Sequence, residues 1–327
     1  MSAYSVEPVD SASTSPSVRG TDVATQVTTS ALAKRFPTRF LLYLIERFSL
    51  FSVVPASLLH YLFIANYATG GIDIAALATP SFASARWIAG FATFLGLFLC
   101  LRLADDMKDK HHDDTYYSER PVQRGLVTLR ELAFSLAVLV VLLVALNVLV
   151  ANAVVLALFI ATLSLMTLMR FEFFVPGFLR PRLLLYLATH QMFVPVLTAY
   201  VIYFEGGKVA GPGAVLFLVL NLLMIMAVEV ARKTRPAALD QTGRDTYSAY
   251  LGRGGAVVFL LAILLAAQSL FNLVAHVPLW LAVSLALPAM ACIYYFRVDS
   301  KSSSRAVLNS TVLFLTINML AAMVLPQ

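Results

Sequence analysis

Charge is what this sequence has least of. Of its 327 residues only 13% are charged, while 60% are hydrophobic. A soluble globular domain carries about a quarter charged residues, so this composition excludes that class and points to a polytopic membrane protein. Cysteine is scarce too: Cys100 and Cys292 are the only two, and both sit in apolar runs. Two such thiols suggest neither a disulfide framework nor a zinc site. Residues 1–33 lack any long apolar run and so contain no signal-peptide core. Rich in Ser, Thr, Val and Ala, they are expected to form a disordered cytosolic tail ahead of a domain over 34–327. The net charge of +6 does not indicate nucleic acid, because the basic residues are divided among short loops between apolar segments.

Long apolar runs are what the chain has in quantity. A membrane-spanning helix takes about 20 mostly apolar residues. Nine segments qualify, at 41–65, 85–104, 130–150, 152–169, 182–203, 213–231, 255–274, 278–296 and 306–325. The third and fourth are joined only around Ala151 and Asn152, and the seventh and eighth through His276 and Pro278, so each pair is predicted to form a tight hairpin. Loop charge alternates along the chain. Lys34, Arg35 and Arg39 precede the first span; Lys108, Lys110, Arg120, Arg124 and Arg130 follow the second. Arg170, Arg180 and Arg182 follow the fourth, Arg232, Lys233, Arg235, Arg244 and Arg253 the sixth, and Arg297, Lys301 and Arg305 the eighth. The opposite side offers only Arg86 and Lys208. By the positive-inside rule the N-terminus is expected in the cytoplasm and the C-terminus outside. In a bacterium that membrane is the inner one. The expected fold is an all-α membrane bundle of nine helices with its polar cap loops on the cytoplasmic side.

Two stretches carry the chemistry. The second span runs into Asp105, Asp106, Asp109 and Asp113. If the helix continues, Asp105, Asp109 and Asp113 stack one turn apart with Asp106 beside them. Like charges at that spacing repel, and a divalent cation reverses the sign of the interaction. Magnesium prefers oxygen and is held by one or two carboxylates plus phosphate oxygens. The alternative is a solvated acidic turn. Arg120 and Arg124 follow, placed either to grip phosphate oxygens or to serve as topology charges alone. Thr128-Leu-Arg-Glu131 reads as a capping box. The sixth span ends with Glu229, Arg232, Lys233 and Arg235 before Pro236. Glu229 and Lys233 are four apart, the spacing of a local salt bridge, yet an ionisable group inside an apolar run is a functional candidate by default. Asp240 and Asp245 lie in the loop beyond.

The pattern Asp105-Asp106-x-x-Asp109-x-x-x-Asp113 resembles the first aspartate-rich motif of the UbiA superfamily of intramembrane prenyltransferases, usually N-D-x-x-D-x-x-x-D. Arg120-Pro121 with Gly125 resembles its R-P-x-x-x-G segment, and Gly243-Arg-Asp245-Thr246 its G-x-x-T segment. The resemblance covers about residues 35–325. It implies a helical bundle around a central cavity open to lipid, in which magnesium bridges a prenyl diphosphate to two aspartate-rich motifs. The allylic carbon–oxygen bond ionises, and a lipophilic or aromatic acceptor captures the cation. Carried over by position, Asp105, Asp106, Asp109, Asp113 and Glu229 become metal ligands. Asp106, Asp109, Glu229 and Lys233 become the catalytic set, and Arg120, Arg124, Arg232, Lys233, Arg235 and Asp245 the diphosphate-binding candidates. Asp105 stands where the family has Asn. The second motif, D-x-x-x-D in the family, reads Glu229-x-x-x-Lys233 here, and an ammonium cannot bind a metal. That departure leaves open how many magnesium ions are held: either one is lost and Arg232 or Lys233 grips the diphosphate directly, or Asp240 or Asp245 supplies the missing oxygen. It also leaves a UbiA-type terpene cyclase, in which the prenyl chain captures its own cation, as the alternative to a prenyltransferase. A transporter would instead place charges near the midplane and use discontinuous helices. Inside the spans, Arg47, Asn147, His190, Gln191 and Asn221 are the candidates to line the cavity, each with a plain interhelical contact as its alternative.

Overall fold

The computed structural model describes residues 35–71, 82–240 and 246–325. The expected tail over 1–33 and Asp245 lie outside the described residues. No strand occurs among the described residues. Phe36–Tyr43 (α1) leads through a π-helical turn, Leu44–Phe48, to Leu50–Thr69 (α2). There follow Phe82–Lys108 (α3), the short Lys110–Tyr116 (α4), Leu129–Val150 (α5) and Ala153–Arg170 (α6). Next come Pro176–Leu179 (α7), Leu183–His190 (α8), Phe193–Phe204 (α9) and Gly211–Arg232 (α10). Tyr247–Val274 (α11), Ala286–Arg297 (α12) and Lys301–Val324 (α13) complete the bundle.

Nine spans among the described residues are long and apolar enough to cross a membrane. They are α2, α3, α5, α6, α8 with α9, α10, α11, the 3-10 turn Leu279–Leu285 with α12, and α13. Large apolar side chains such as Val141, Leu149, Val258, Leu265 and Trp280 stand exposed on the outside of the bundle. In water such a surface would be costly; in lipid it is the solvent-facing surface. The protein is an integral multi-pass membrane protein.

Eight spans fall within a few residues of their sequence-based positions, apart from some longer ends. The first does not. The segment 41–65 is divided at Ser49, whose backbone is left-handed (φ 50°, ψ 56°). The span proper is Leu50–Thr69, and residues 36–48 form a separate helical piece. A continuous helix would have carried Glu46 and Arg47 into the lipid. The break leaves both outside the span, where Glu46 pairs with Arg124 and Arg47 with Asp106. The seventh span begins early, at Tyr247, with a break at Gly252 (φ 72°, ψ 163°).

Local chemistry explains the other ends. Asn152 turns the α5–α6 hairpin and caps α6, its Oδ1 accepting from Val155 N at 3.0 Å. The capping box at Thr128 and Glu131 is formed. Phe171, Phe174 and their neighbours turn the chain beyond α6, with positive φ at Glu172, Phe173 and Phe174. Arg180 holds that turn through two hydrogen bonds to the buried Glu172, at 2.7 and 3.0 Å.

The helix ends sort into two sets, as alternating loop charge requires. At one end, Arg39 ties α1 to Leu126 O and Glu131. There too Arg170 reaches Ala104 O at 2.9 Å, Tyr295 reaches Arg235 O at 2.6 Å, and Asp299 accepts from Ala237 N. At the other end, Arg86 donates to Phe204 O, and Tyr61 donates to Glu205. Helix α10 packs on α11, α13 and α9, while α3 packs on α5, α6 and α2. This brings the C-terminal ends of α3 and α10, the two charged stretches, to the same end of the bundle.

Candidate active site

The aspartates do not form the single stacked face expected. Helix α3 ends at Lys108, and Asp109 (φ −86°, ψ 7°) bends the chain into α4. The i to i+4 backbone bonds survive the bend: Asp109 N to Asp105 O and Asp113 N to Asp109 O, both 2.8 Å. The side chains divide into two pairs. Asp106 and Asp113 are buried, with side chains 3% and 4% exposed, whereas Asp105 and Asp109 are 44% and 45% exposed.

The buried pair is already engaged. Arg47 Nε donates to Asp106 Oδ2 at 2.9 Å and its second nitrogen to Oδ1. Tyr43 donates to the same Oδ2 at 2.9 Å, and Arg102 lies 3.8 Å from Oδ1. Tyr43 and Arg47 are one helical turn apart, so one face of the piece before Ser49 closes over Asp106. Burial and the adjacent Asp106 carboxylate push the Tyr43 hydroxyl far above the usual phenol range. Asp113 is held by Arg120, whose guanidinium also lies over the Tyr117 ring at 3.7 Å. Arg124 pairs with Glu46 at 2.6 Å. Arg47, Arg120 and Arg124 are therefore each committed to a carboxylate.

Asp105 and Asp109 are left facing the open end. Within 4 Å Asp105 meets Arg102, at 3.6 Å, and Asp109 meets Lys108, at 3.8 Å; neither carboxylate makes a hydrogen bond among the described residues. Burial by surrounding protein raises the Asp109 carboxyl above the usual carboxylate range; Lys108 opposes this, while Asp105 and Asp113 reinforce it. Lys108 itself donates to Tyr186 Oη at 2.7 Å.

The end of α10 lies opposite. Glu229 Oε2 accepts from Arg232 at 2.6 and 3.0 Å, and Oε1 lies 3.2 Å from Lys233 Nζ. The two stretches face the same end, near enough for Asp105 to feel the charge of Arg232 and Asp109 that of Lys233, with no ion pair within 4 Å between them among the described residues. The Arg232 side chain is 48% exposed despite its two hydrogen bonds to Glu229. The Arg235 backbone is fixed, its N–H to Ser248 Oγ at 2.9 Å and its carbonyl to Tyr295. Asp240 accepts from Thr246 Oγ1 at 2.5 Å.

Of the remaining candidates Asn147 and Asn221 are interhelical ties, whereas His190 bonds within its own helix and its Nε2, like Gln191 Oε1, is buried without a hydrogen-bond partner among the described residues. Asn147 donates to Thr93 Oγ1 at 3.0 Å and accepts from Tyr200 at 2.8 Å. Asn221 meets His60 Nε2 at 2.7 Å. His190 stacks on Tyr186 with ring centroids 3.7 Å apart, and Gln191 sits at the break between α8 and α9. Sequence reasoning missed Tyr43, Lys108, Tyr186 and His60. Only Tyr43 had a local signal, its four-residue spacing from Arg47.

Neither a protein-family model nor a curated protein sequence matches the chain. Solved structures do. A digeranylgeranylglyceryl phosphate synthase, a membrane protein, superposes with a TM-score of 0.53 at 18% identity, over 87% of this chain and 97% of that one. A UbiA homolog from Aeropyrum pernix K1 superposes with a TM-score of 0.54 at 21% identity, over 79% of this chain and 96% of that one. The bundle is a UbiA-type fold, the one that the aspartate-rich motif leads one to expect.

Proposed function

We propose that the protein is an intramembrane prenyltransferase that uses a divalent cation, magnesium, and transfers an isoprenyl group from a prenyl diphosphate to a lipophilic acceptor. The observation carrying this reading is the placement of two accessible carboxylates, Asp105 and Asp109, at the same end of a UbiA-type bundle as the cations Arg232 and Lys233. Diphosphate is an anion that needs both kinds of neighbour: cations of its own, and carboxylates to retain a metal. Asp105 and Asp109, one turn apart with free lone pairs, fit magnesium, which takes one or two carboxylates and otherwise oxygen from phosphate and water. Bound there, the ion would neutralise charge on the departing diphosphate. Arg232 and Lys233 orient the diphosphate, and the apolar bundle receives the prenyl chain. The allylic carbon–oxygen bond breaks with its electron pair leaving on diphosphate. The acceptor's nucleophile bonds to the allylic carbon and gives up a proton.

A transporter is less well supported. Span α8–α9 is discontinuous, but its break carries His190 and Gln191 and no fixed charge. The deep pair His60–Asn221 satisfies itself. A terpene cyclase shares the same ionisation and differs in what captures the cation. The experiment is incubation of purified protein with geranyl, farnesyl and geranylgeranyl diphosphates and magnesium, with and without membrane-lipid extract. Prenylated lipid that forms only with extract supports the transferase. Cyclic hydrocarbon formed without extract replaces it with the cyclase. No diphosphate release from any donor overturns both.

A further inference from the structure

We infer that the α10 half-site takes no metal: Glu229, Arg232 and Lys233 form a cationic grip that binds diphosphate directly and leaves a single divalent ion, on Asp105 and Asp109. The inference rests on the proposed diphosphate chemistry and departs from the two-motif metal bridge that the family resemblance implies.

Glu229 is the only carboxylate of the pair of positions 229 and 233, and both its oxygens are taken. Oε2 accepts two hydrogen bonds from Arg232, and Oε1 lies 3.2 Å from Lys233 Nζ. A metal ion would have to displace two cations and then sit among them. Lys233 offers an ammonium without a lone pair. The anion side of the site is different. Asp105 and Asp109 keep accessible oxygens, and their cationic neighbours stand off at 3.6 and 3.8 Å.

Charge arithmetic agrees. Exchanging a carboxylate for an ammonium at position 233 changes the local charge by two units, the charge of one divalent ion. The grip also keeps donors to spare. Arg232 spends one edge of its guanidinium on Glu229 and is half accessible. Lys233 spends one N–H. Glu229 then serves as a positioning residue that aims both cations toward Asp105 and Asp109, and the diphosphate occupies the space between.

The test uses the purified full-length protein, inorganic pyrophosphate as the probe and manganese as a paramagnetic substitute for magnesium. Electron paramagnetic resonance titration in saturating pyrophosphate should count one tightly bound manganese per wild-type chain. Lys233→Asp should bind two. Calorimetry in excess chelator should detect metal-free pyrophosphate binding by wild type, weakened at least about tenfold in Lys233→Ala. That variant leaves the Glu229–Arg232 pair in place and guards against misfolding of Lys233→Asp. Two manganese ions per wild-type chain would overturn the inference while leaving the prenyltransferase reading intact, as would unchanged metal-free affinity in Lys233→Ala. Absence of pyrophosphate binding with and without manganese would overturn both.

Discussion

At the scale of single residues, two aspartates three positions apart have opposite duties. Asp106 is buried under Arg47 and Tyr43, and Asp109 is accessible and free of hydrogen bonds. Removing one partner of a buried pair leaves the other charge stranded and costs about 3–5 kcal/mol. Asp106→Ala should therefore lower the thermal midpoint sharply, whatever it does to turnover. Asp109→Asn should leave the midpoint nearly unchanged and reduce turnover roughly hundreds- to thousands-fold, the scale of losing charge stabilisation at a leaving group. Measuring both quantities on both variants separates the roles; an Asp109→Asn enzyme above about a tenth of wild-type turnover removes Asp109 from the site. A second prediction concerns the far end of the bundle, where Tyr61 donates to Glu205. Burial raises the Glu205 carboxyl above its ordinary range, outweighing Tyr61 and Arg86. A raised folded pKa means that ionisation opposes the fold. The penalty is absent below the unfolded-state pKa, grows as pH rises, and is complete above the folded pKa. Glu205→Gln, which can still accept from Tyr61, should be more thermostable than wild type near neutral pH, with the gap closing in acid. A variant less stable at neutral pH would show that Glu205 and Arg86 gain more from their charges than burial costs.

At the scale of elements, close approach of α3 to α2 and α9 depends on Gly90. A methyl group there would strike the Tyr61 hydroxyl and come within 2.6 Å of the Phe204 ring. Both rings are buried and packed, so the helices must separate. Overpacking of this kind costs about 1–3 kcal/mol. Gly90→Ala should lower the thermal midpoint, and adding Tyr61→Phe should recover only part of the loss, because Phe204 remains in the way. Full recovery would mean that Phe204 moves freely. The elements also show what was readable in the sequence. Eight spans were, because each is an apolar run bounded by charge or turn residues. The first was misplaced because hydropathy sees no difference between Leu44–Leu50 as helix and as a break at Ser49. The Glu229–Lys233 pair followed from four-residue spacing. The stacked aspartate face did not survive, because helical periodicity was extended past Lys108, where the chain bends. Tyr186 and His60 carry no local signal at all. They are brought to Lys108 and Asn221 by packing between elements distant in sequence.

At the scale of the whole molecule, charge separates the two ends more strongly than any single contact does. The end holding Arg39, Arg47, Lys108, Arg120, Arg124, Arg170, Arg232 and Lys233 has the basic excess, and the other end has Arg86 and Lys208. Anionic lipid attracts the first set, and insertion retains basic loops in the cytoplasm. The site would then open toward the compartment where water-soluble diphosphates are made, while acceptor and product enter and leave through the lipid. Orientation can be measured with few complications, because Cys100 and Cys292 are both buried and should react slowly with a polar thiol reagent. Thr115 on α4 and Lys208 before α10 are exposed and lie at opposite ends. In intact cells, a membrane-impermeant maleimide should label Lys208→Cys and spare Thr115→Cys until the membrane is permeabilised. Labelling of Thr115→Cys in intact cells would invert the molecule and place Asp105, Asp109, Arg232 and Lys233 outside. A cytoplasmic diphosphate could not reach them there, so the same measurement bears on topology and on the proposed chemistry.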